Sequence, residues 1–275
     1  MPSCSMFINE DATPSMMEEE RFSILNDGDL EIRGVIARPK KNGRFPTVVL
    51  AGGLLDTADS GYIKELAKLF LEHDYAVVRF DFTNGFGKSG GRAENITISQ
   101  RARDLEMVIQ YTKRRGYINE GKVGIVAYGF GAMATLVLEG FQALSKAIVL
   151  INTPEQIDDT AWTRFDEREM ARVRLKRYFH VQRDNQPTRI NFTLFEDGYR
   201  LDIFRCTRNL RTPTLFLAGA KNDIIPASQT ERLYERTNCK KELEIIPDLG
   251  SDLGKRQAQI IFERSAAFFK RQKLA

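Results

Sequence analysis

Side chains able to carry acid–base or nucleophilic chemistry are few in this sequence and widely spaced. It contains two histidines, His73 and His180, and histidine is the side chain whose charge changes near neutral pH. His73 falls between a predicted helix and a predicted strand, where we expect an ordinary surface role. His180 falls in a charged segment that interrupts the regular pattern. The sequence leaves open whether His180 reaches a pocket, and a solvated or hydrogen-bonded role is favoured.

No metal or cofactor is predicted. Cys4, Cys206 and Cys239 are odd in number, far apart and without the spacing of metal ligands, which is typical of reduced thiols in a cytosolic protein. The stretch GFGKSGG at 85–91 lacks the GxxxxGK[ST] spacing of a phosphate-binding loop. A nucleotide is therefore not expected.

The composition indicates one large globular domain. The chain has 275 residues, of which 42% are hydrophobic and 28% charged, enough for a sizeable core. Its net charge is +4, from 41 basic and 37 acidic side chains without a block of one sign, so charge does not suggest nucleic-acid binding. No apolar run reaches the ~18 residues of a membrane span, and no leader pattern is present. A cytoplasmic protein without a membrane span is expected, and a homo-oligomer is compatible with the sequence.

Hydrophobic patterning predicts strands that alternate with helices, after a loosely attached arm over residues 1–20. Two strands flank a turn at 26–28, and a short β-branched strand follows at 47–53. Helices are then predicted at 60–74, 98–116, 131–144, 228–238 and 254–272, and strands at 75–82, 122–129, 146–154, 212–220 and 241–247. Buried apolar strands between helices of this length favour a mostly parallel sheet covered on both faces.

Residues 155–211 break this alternation. They contain a charged helical pattern over 161–179, followed by a hairpin or extended excursion over 180–195. An insertion between parallel strands usually lies over their carboxyl ends, where ligands bind. We therefore predict a cap at 155–211, on a core formed by 21–154 and 212–275.

Four stretches give the chain a resemblance to a known family. They are VVLAGG with an aspartate nearby, RFDFTNGFGKSGG, KVGIVAYGFGAMA, and PTLFLAGAKNDIIP followed by LEIIPDLGSDL. In order and spacing they resemble the α/β-hydrolase superfamily over residues 21–271, and most of all its small esterase and serine-aminopeptidase-like branch. The resemblance implies an α/β fold with a mostly parallel central sheet, flanking helices and a small cap insertion.

The resemblance also implies positions for catalytic groups. The family uses a serine on a sharp GxSxG turn, an acid and a histidine, but the turn here reads AYGFG, with Gly129 at the nucleophile position. The acid position falls on Asp223, whose spacing from Gly219 and Pro226 echoes the family pattern. Ser251 stands where relatives have the histidine. The chain thus has neither the serine nor the base at the expected places.

Backbone groups do not depend on the missing side chains. Amides of Gly53 or Leu54 and of Phe130 are the expected oxyanion-hole donors, and Tyr128 and His180 are expected to contact a ligand. As a replacement nucleophile the Tyr128 phenol is poor, because its unperturbed pKa is near 10. Ser89 belongs to a turn where a structural role is favoured, and Ser251 lacks a partnered base.

Three interpretations follow. The first is a non-hydrolytic pseudohydrolase that binds a small apolar or acyl-like molecule. The second is a repurposed lyase, isomerase or cyclase, in which a buried Asp223 with a raised pKa works beside the oxyanion hole. The third, less favoured, is a weak esterase with an unconventional nucleophile.

Overall fold

An eight-stranded sheet forms the centre of the structure, a computed structural model that describes residues 17–157, 165–183 and 185–274. Its strands are β1 (Met17–Leu25), β2 (Glu31–Pro39), β3 (Phe45–Ala51), β4 (Ala76–Phe80), β5 (Ile118–Tyr128), β6 (Ala147–Ile151), β9 (Thr214–Gly219) and β10 (Lys241–Ile246). A separate hairpin consists of β7 (Tyr178–Arg183) and β8 (Gln186–Asn191). The order in the sheet is β1-β2-β4-β3-β5-β6-β9-β10, and β2 alone runs against both of its neighbours. The predicted mostly parallel sheet is confirmed.

Helices cover both faces of the sheet. In the described part of the chain they are α1 (Gly61–Glu72), α2 (Ile98–Lys113), α3 (Phe130–Phe141), α4 (Glu167–Lys176), α5 (Thr193–Arg200), α6 (Ile203–Asn209), α7 (Ala227–Arg236) and α8 (Lys255–Arg271). Side chains of α1 and α8 share a core cluster with Val48 and Val126, whereas α2 and α3 share another with Val49 and Ile125. Neighbouring residues of one strand thus face opposite cores, which explains the continuous apolar runs of β3 and β5.

The segment between β6 and β9 contains α4, the β7–β8 hairpin, α5 and α6. The helix predicted over 161–179 is shorter, because Arg177 takes a left-handed conformation (φ 65°) that ends α4, and Tyr178 and Phe179 begin the hairpin. The predicted residues 161–164 lie outside the described chain. Two short helices, α5 and α6, were not expected, since their lengths are below the range in which a helical period stands out.

The N-terminal prediction needs one correction. β1 begins at Met17, so it includes the last four residues of the expected arm, and it pairs antiparallel with β2. Glutamates of this strand pair with basic side chains, as Glu18 does with Arg38 and Glu19 with Arg79, so a polar strand is tied to the sheet edge. Residues 1–16 of the predicted arm lie outside the described residues.

The carboxyl ends of β3, β5, β6 and β9 meet at one edge of the sheet, because these strands are parallel neighbours. Asn152, directly after β6, connects this edge: its Oδ1 accepts from the amide of Gly219 at 2.7 Å, and its Nδ2 donates to the carbonyl of Gly250 at 3.2 Å. In the part of the chain described here, no helix is long and apolar enough to cross a membrane.

Candidate functional site

The turn between β5 and α3 has an unusual backbone. Gly129, which lies between them, has φ 54° and ψ −117°, a conformation costly for residues with a side chain. Gly131 allows close approach of α3 to β3, because a Cβ there would lie 2.4 Å from the carbonyl oxygens of Ala51 and Gly52. A Cβ on Gly129, in contrast, would have the Cα of Gly53 at 3.8 Å and the Cδ1 of Ile225 at 3.9 Å as its nearest atoms. The turn is sharp and tightly packed, but open at the position of the missing side chain.

The loop after β3 is held from behind by a buried arginine. Arg101, on α2, is 1% exposed and donates from Nη1 to the carbonyls of Gly52 and Gly53 at 3.3 and 2.9 Å, and from Nη2 to the carbonyl of Leu54 at 3.0 Å. Its guanidinium lies 4.5 Å from the ring centre of Phe82. Burial lowers the pKa of Arg101 to about 10, which leaves it charged at neutral pH. One cation therefore fixes three successive carbonyls.

The same loop is held from its other side by Asp56. Oδ2 of Asp56 accepts from the Gly53 amide at 2.7 Å and from the Tyr62 hydroxyl at 2.6 Å. Burial first, and then the negative charge of Asp56, raises the pKa of Tyr62 well above its usual value. The Gly53 amide, one of the expected oxyanion donors, is thus engaged by a carboxylate, whereas the Leu54 amide has no hydrogen-bond acceptor among the described residues.

Tyr128 is fixed as a hydrogen-bond donor. Its hydroxyl donates to the carbonyl of Ser251 at 2.9 Å. Burial, and next the charge of Asp56, raises its pKa to about 12. Both effects oppose a phenolate at neutral pH, so the structure gives no support to Tyr128 as a nucleophile.

The predicted acid and base positions lie side by side. Oγ of Ser251 donates to Oδ1 of Asp223 at 3.3 Å. Asp223 is exposed, however, and the expectation of a buried carboxyl there is wrong. Its neighbour Asn222 takes the inner position instead: Asn222 is 5% exposed, and its Oδ1 accepts from the amides of Ile224 and Ile225 at 3.0 and 2.8 Å. This turn directs the Asp223 side chain outward.

A cavity of about 520 Å³ opens between this edge of the sheet and the hairpin, within the ~300–1,000 Å³ range of small-molecule pockets. Its lining is mainly apolar: Gly53, Leu54, Leu55, Asp56, Tyr128, Gly129, Phe130, Phe165, Phe179, His180, Val181, Gln182, Ile224, Ile225 and Ser251. All seven predicted ligand or catalytic positions other than Asp223 line this cavity. Asp223 does not appear in the lining.

The two histidines have different surroundings. His180, on β7, lines the cavity and has its ring 5.5 Å from that of Tyr178. The Nδ1 of His73 lies 2.8 Å from the carbonyl oxygen of Leu69, and its ring lies 4.6 Å from that of Phe262, so His73 caps and packs α1 and does not line the cavity.

Other residues considered for chemistry have structural partners. Oγ of Ser89 accepts from the Arg33 amide at 2.8 Å and donates to the carbonyl of Asp81 at 2.6 Å. Cys206 is buried, and burial raises the pKa of its thiol and of that of Cys239. Among the residues that the structure describes, no group of three or more histidine, cysteine or carboxylate side chains is placed to hold a metal ion.

Sequence reasoning missed Asp56 and Arg101. An aspartate near VVLAGG is visible in the sequence, but its bond to the preceding loop is not. Arg101 carries no signal at all, because a charged side chain on an amphipathic helix is ordinarily assigned to the solvent face.

Comparisons with known proteins agree with this architecture. No protein-family profile matches the sequence. The uncharacterized protein YqkD of Bacillus subtilis (strain 168) is 26% identical over 232 residues, which cover 83% of this chain and 72% of YqkD.

Solved structures resemble it along nearly the whole chain. The α/β hydrolase GrgF from Penicillium sp. sh18 superposes with a TM-score of 0.78 at 18% identity, covering 93% of this chain and 99% of GrgF. Est1E from Butyrivibrio proteoclasticus, solved with ferulic acid bound, gives 0.75 at 14% identity over 92% of this chain and 100% of Est1E. An acetyl xylan esterase from Paenibacillus sp. R4 gives 0.72 at 15% identity over 95% and 86% of the two chains. The protein has the α/β-hydrolase fold, as the resemblance of its sequence motifs predicted.

Proposed function

We propose that this protein is a non-hydrolytic member of the α/β-hydrolase fold that binds a small, largely apolar or acyl-like molecule in the cavity beside Gly129. The observation that carries the proposal is the contrast at this turn. Gly129 has the strained backbone of a nucleophile elbow and faces a cavity, yet it offers no atom that can attack a carbonyl.

The surroundings of Gly129 support the same conclusion. Neither Ser251 nor Tyr128 has an activating base: Ser251 donates to an exposed carboxylate, and Tyr128 donates to a carbonyl with its pKa raised to about 12. Triad enzymes without their nucleophile and base retain residual catalysis of only about 10³–10⁴ over water. Efficient ester hydrolysis is therefore not expected.

The insertion fits the role of a cap in this proposal. Phe165 and four consecutive hairpin residues, 179–182, supply one wall of the cavity. Apolar side chains on this wall exclude water from a ligand and match an apolar or acyl-like group. We assign residues 155–211 to this cap.

Ester hydrolysis tests the proposal. Wild-type protein, Asp223→Asn, Gly129→Ser and the double variant Gly129→Ser/Ser251→His are assayed on a short-chain p-nitrophenyl ester. We expect wild type to show no turnover above buffer, and the double variant to gain activity, because a serine at 129 has room and a histidine at 251 lies beside Asp223. Efficient turnover by wild type would contradict the proposal, and its loss in Asp223→Asn would identify a working triad-like group.

A second candidate is a non-hydrolytic enzyme, and one observation favours it. A carboxylate does line the cavity, but it is Asp56 instead of the exposed Asp223. This alternative predicts that a bound ligand is converted by wild type and not by Asp56→Asn, as followed by mass spectrometry of the recovered ligand.

A further inference from the structure

Asp56 is the acidic side chain in an otherwise mainly apolar lining. Within the described residues, the lining contains no lysine or arginine and no second carboxylate. A carboxylate at the wall of a cavity requires polar partners, because burying an unpaired charge is costly.

The partners that Asp56 has are neutral, and they use one of its oxygens. The Gly53 amide and the Tyr62 hydroxyl both donate to Oδ2. No donor to Oδ1 occurs among the residues described. The buried Arg101 directs its Nη1 and Nη2 to the carbonyls of Gly52, Gly53 and Leu54; its charge interacts with that of Asp56, but no hydrogen bond or ion pair joins the two side chains.

The two donors also fix the orientation of the carboxylate. Tyr62 is a buried residue of α1, 8% exposed, so its hydroxyl holds Oδ2 toward the protein interior. Oδ1 is the oxygen left for a molecule in the cavity.

From this arrangement we propose that Asp56 recognises a hydrogen-bond donor on the ligand, best an alkylammonium group, so that the ligand is an amphipathic amine with its apolar part against the cap. The inference rests on the proposed ligand-binding function and narrows it to a chemical class. A charge-assisted hydrogen bond to Oδ1 gives a cationic ligand a higher affinity than a neutral donor, and the carboxylate repels an anionic ligand.

Three probes that share one apolar part test the inference: 4-phenylbutylamine, 4-phenylbutanol and 4-phenylbutyrate. Their affinities for full-length protein are measured by ligand-observed NMR or calorimetry at neutral pH. For wild type we expect the amine to bind at least about tenfold more tightly than the carboxylate, with the alcohol between them. Equal affinity for amine and carboxylate would overturn the inference.

Variants assign the preference to Asp56. Asp56→Asn keeps an acceptor for Gly53 and Tyr62 but removes the charge, and we expect the preference for the amine to disappear. Tyr62→Phe leaves the charge and should keep the preference. Leu55→Arg places a cation beside Asp56. Because Leu55 is 39% exposed, we expect this variant to fold, and it should bind the carboxylate more tightly than the amine. A preference unchanged in both Asp56→Asn and Leu55→Arg would refute the role of Asp56.

A cavity-filling variant separates the two proposals. Val181→Trp places a large side chain in the cavity. Gln186→Trp is the control, because it adds a tryptophan to an exposed position of the same hairpin that does not line the cavity. We expect all probes to lose affinity with Val181→Trp alone. Probes that bind in a Val181-dependent way without charge preference would refute the role of Asp56 and leave the ligand-binding function standing. Binding of no probe to wild type, or binding unaffected by Val181→Trp, would contradict both proposals.

Discussion

The loop at 52–56 and the loops that carry Asp223 and Ser251 lie at the same edge of the sheet, yet their carboxylates are placed very differently. The first is fixed by a buried arginine on three carbonyls and by a carboxylate on the Gly53 amide. At the second, Asn152, Asn222 and Tyr128 fix the backbone, but the Asp223 side chain is exposed and accepts from Ser251 at 3.3 Å. The backbone is fixed at both places, but the carboxylate of Asp56 lines the cavity and that of Asp223 lies outside the lining. We take this as the structural basis of the binding without hydrolysis that we propose.

Replacement of the buried Arg101 should cause the largest loss in the free energy of unfolding. Arg101→Leu leaves the carbonyls of residues 52–54 without their donors, and loss of such buried polar contacts costs about 3–5 kcal/mol. Urea unfolding measures the change. Arg103→Leu, on the exposed side of the same helix, is the matched control and should change the free energy of unfolding by less than about 0.5 kcal/mol. Similar values for the two variants would show that the loop is not held from behind as described.

Alanine substitutions at Gly131 and Gly129 should lower the free energy of unfolding by different amounts. Gly131→Ala places a Cβ against two backbone oxygens, and overpacking of this kind costs about 1–3 kcal/mol. We place it at the upper end, because backbone atoms cannot rotate away. Gly129→Ala meets no close atom and has only its backbone strain to bear, of order 1 kcal/mol. The two are compared by thermal and urea unfolding, and a larger loss for Gly129→Ala would contradict the open space at that position.

Tyr128 connects the end of β5 to the loop that carries Ser251, because its hydroxyl donates to the carbonyl of Ser251. Tyr128→Phe should lower the free energy of unfolding near neutral pH by about 1 kcal/mol. Its pKa is raised to about 12 in the folded protein, so the folded state holds this proton more tightly than the unfolded chain, and the contribution of the phenol is complete below about pH 10.

Above that pH the advantage of wild type should decline. Between about pH 10 and pH 12 the free energy of unfolding of wild type falls by up to about 1.4 kcal/mol per pH unit relative to Tyr128→Phe, so wild type should become the less stable of the two before pH 12. Urea unfolding of both proteins across this range measures the difference, and subtraction removes the shared contribution of the other tyrosines and lysines. A difference that stays constant with pH would mean that the Tyr128 phenol is not shielded as described.

The smallest effect is expected at the exposed side chain of Asp223. Asp223→Asn changes an exposed side chain outside the cavity lining, so unfolding free energy should change by less than about 0.5 kcal/mol. Binding of the probe amine should be unaffected. A loss of binding as large as that of Asp56→Asn would instead place Asp223 in the site.

Much of this fold could be predicted from sequence, because β3 and β5 are continuous apolar runs and α1 and α8 have a strong helical period. Gly129 and Ser251 were found through motif spacing, which local sequence preserves. Three features were beyond that reasoning. The outward turn of Asp223 depends on the side chain of Asn222, the burial of Arg101 depends on carbonyls about fifty residues away, and the role of Asp56 depends on a hydroxyl from α1.

Nitrophenolate release under single-turnover conditions tests the central claim most directly. Wild-type protein in excess over a p-nitrophenyl ester is followed by absorbance, while ligand-observed NMR reports binding of the same ester to wild type and Val181→Trp. We predict that the ester binds wild type, loses affinity for Val181→Trp, and releases nitrophenolate at the rate seen in buffer. A rapid release of nitrophenolate by wild type that Val181→Trp abolishes would contradict the claim, because the cavity would then be a working hydrolase site.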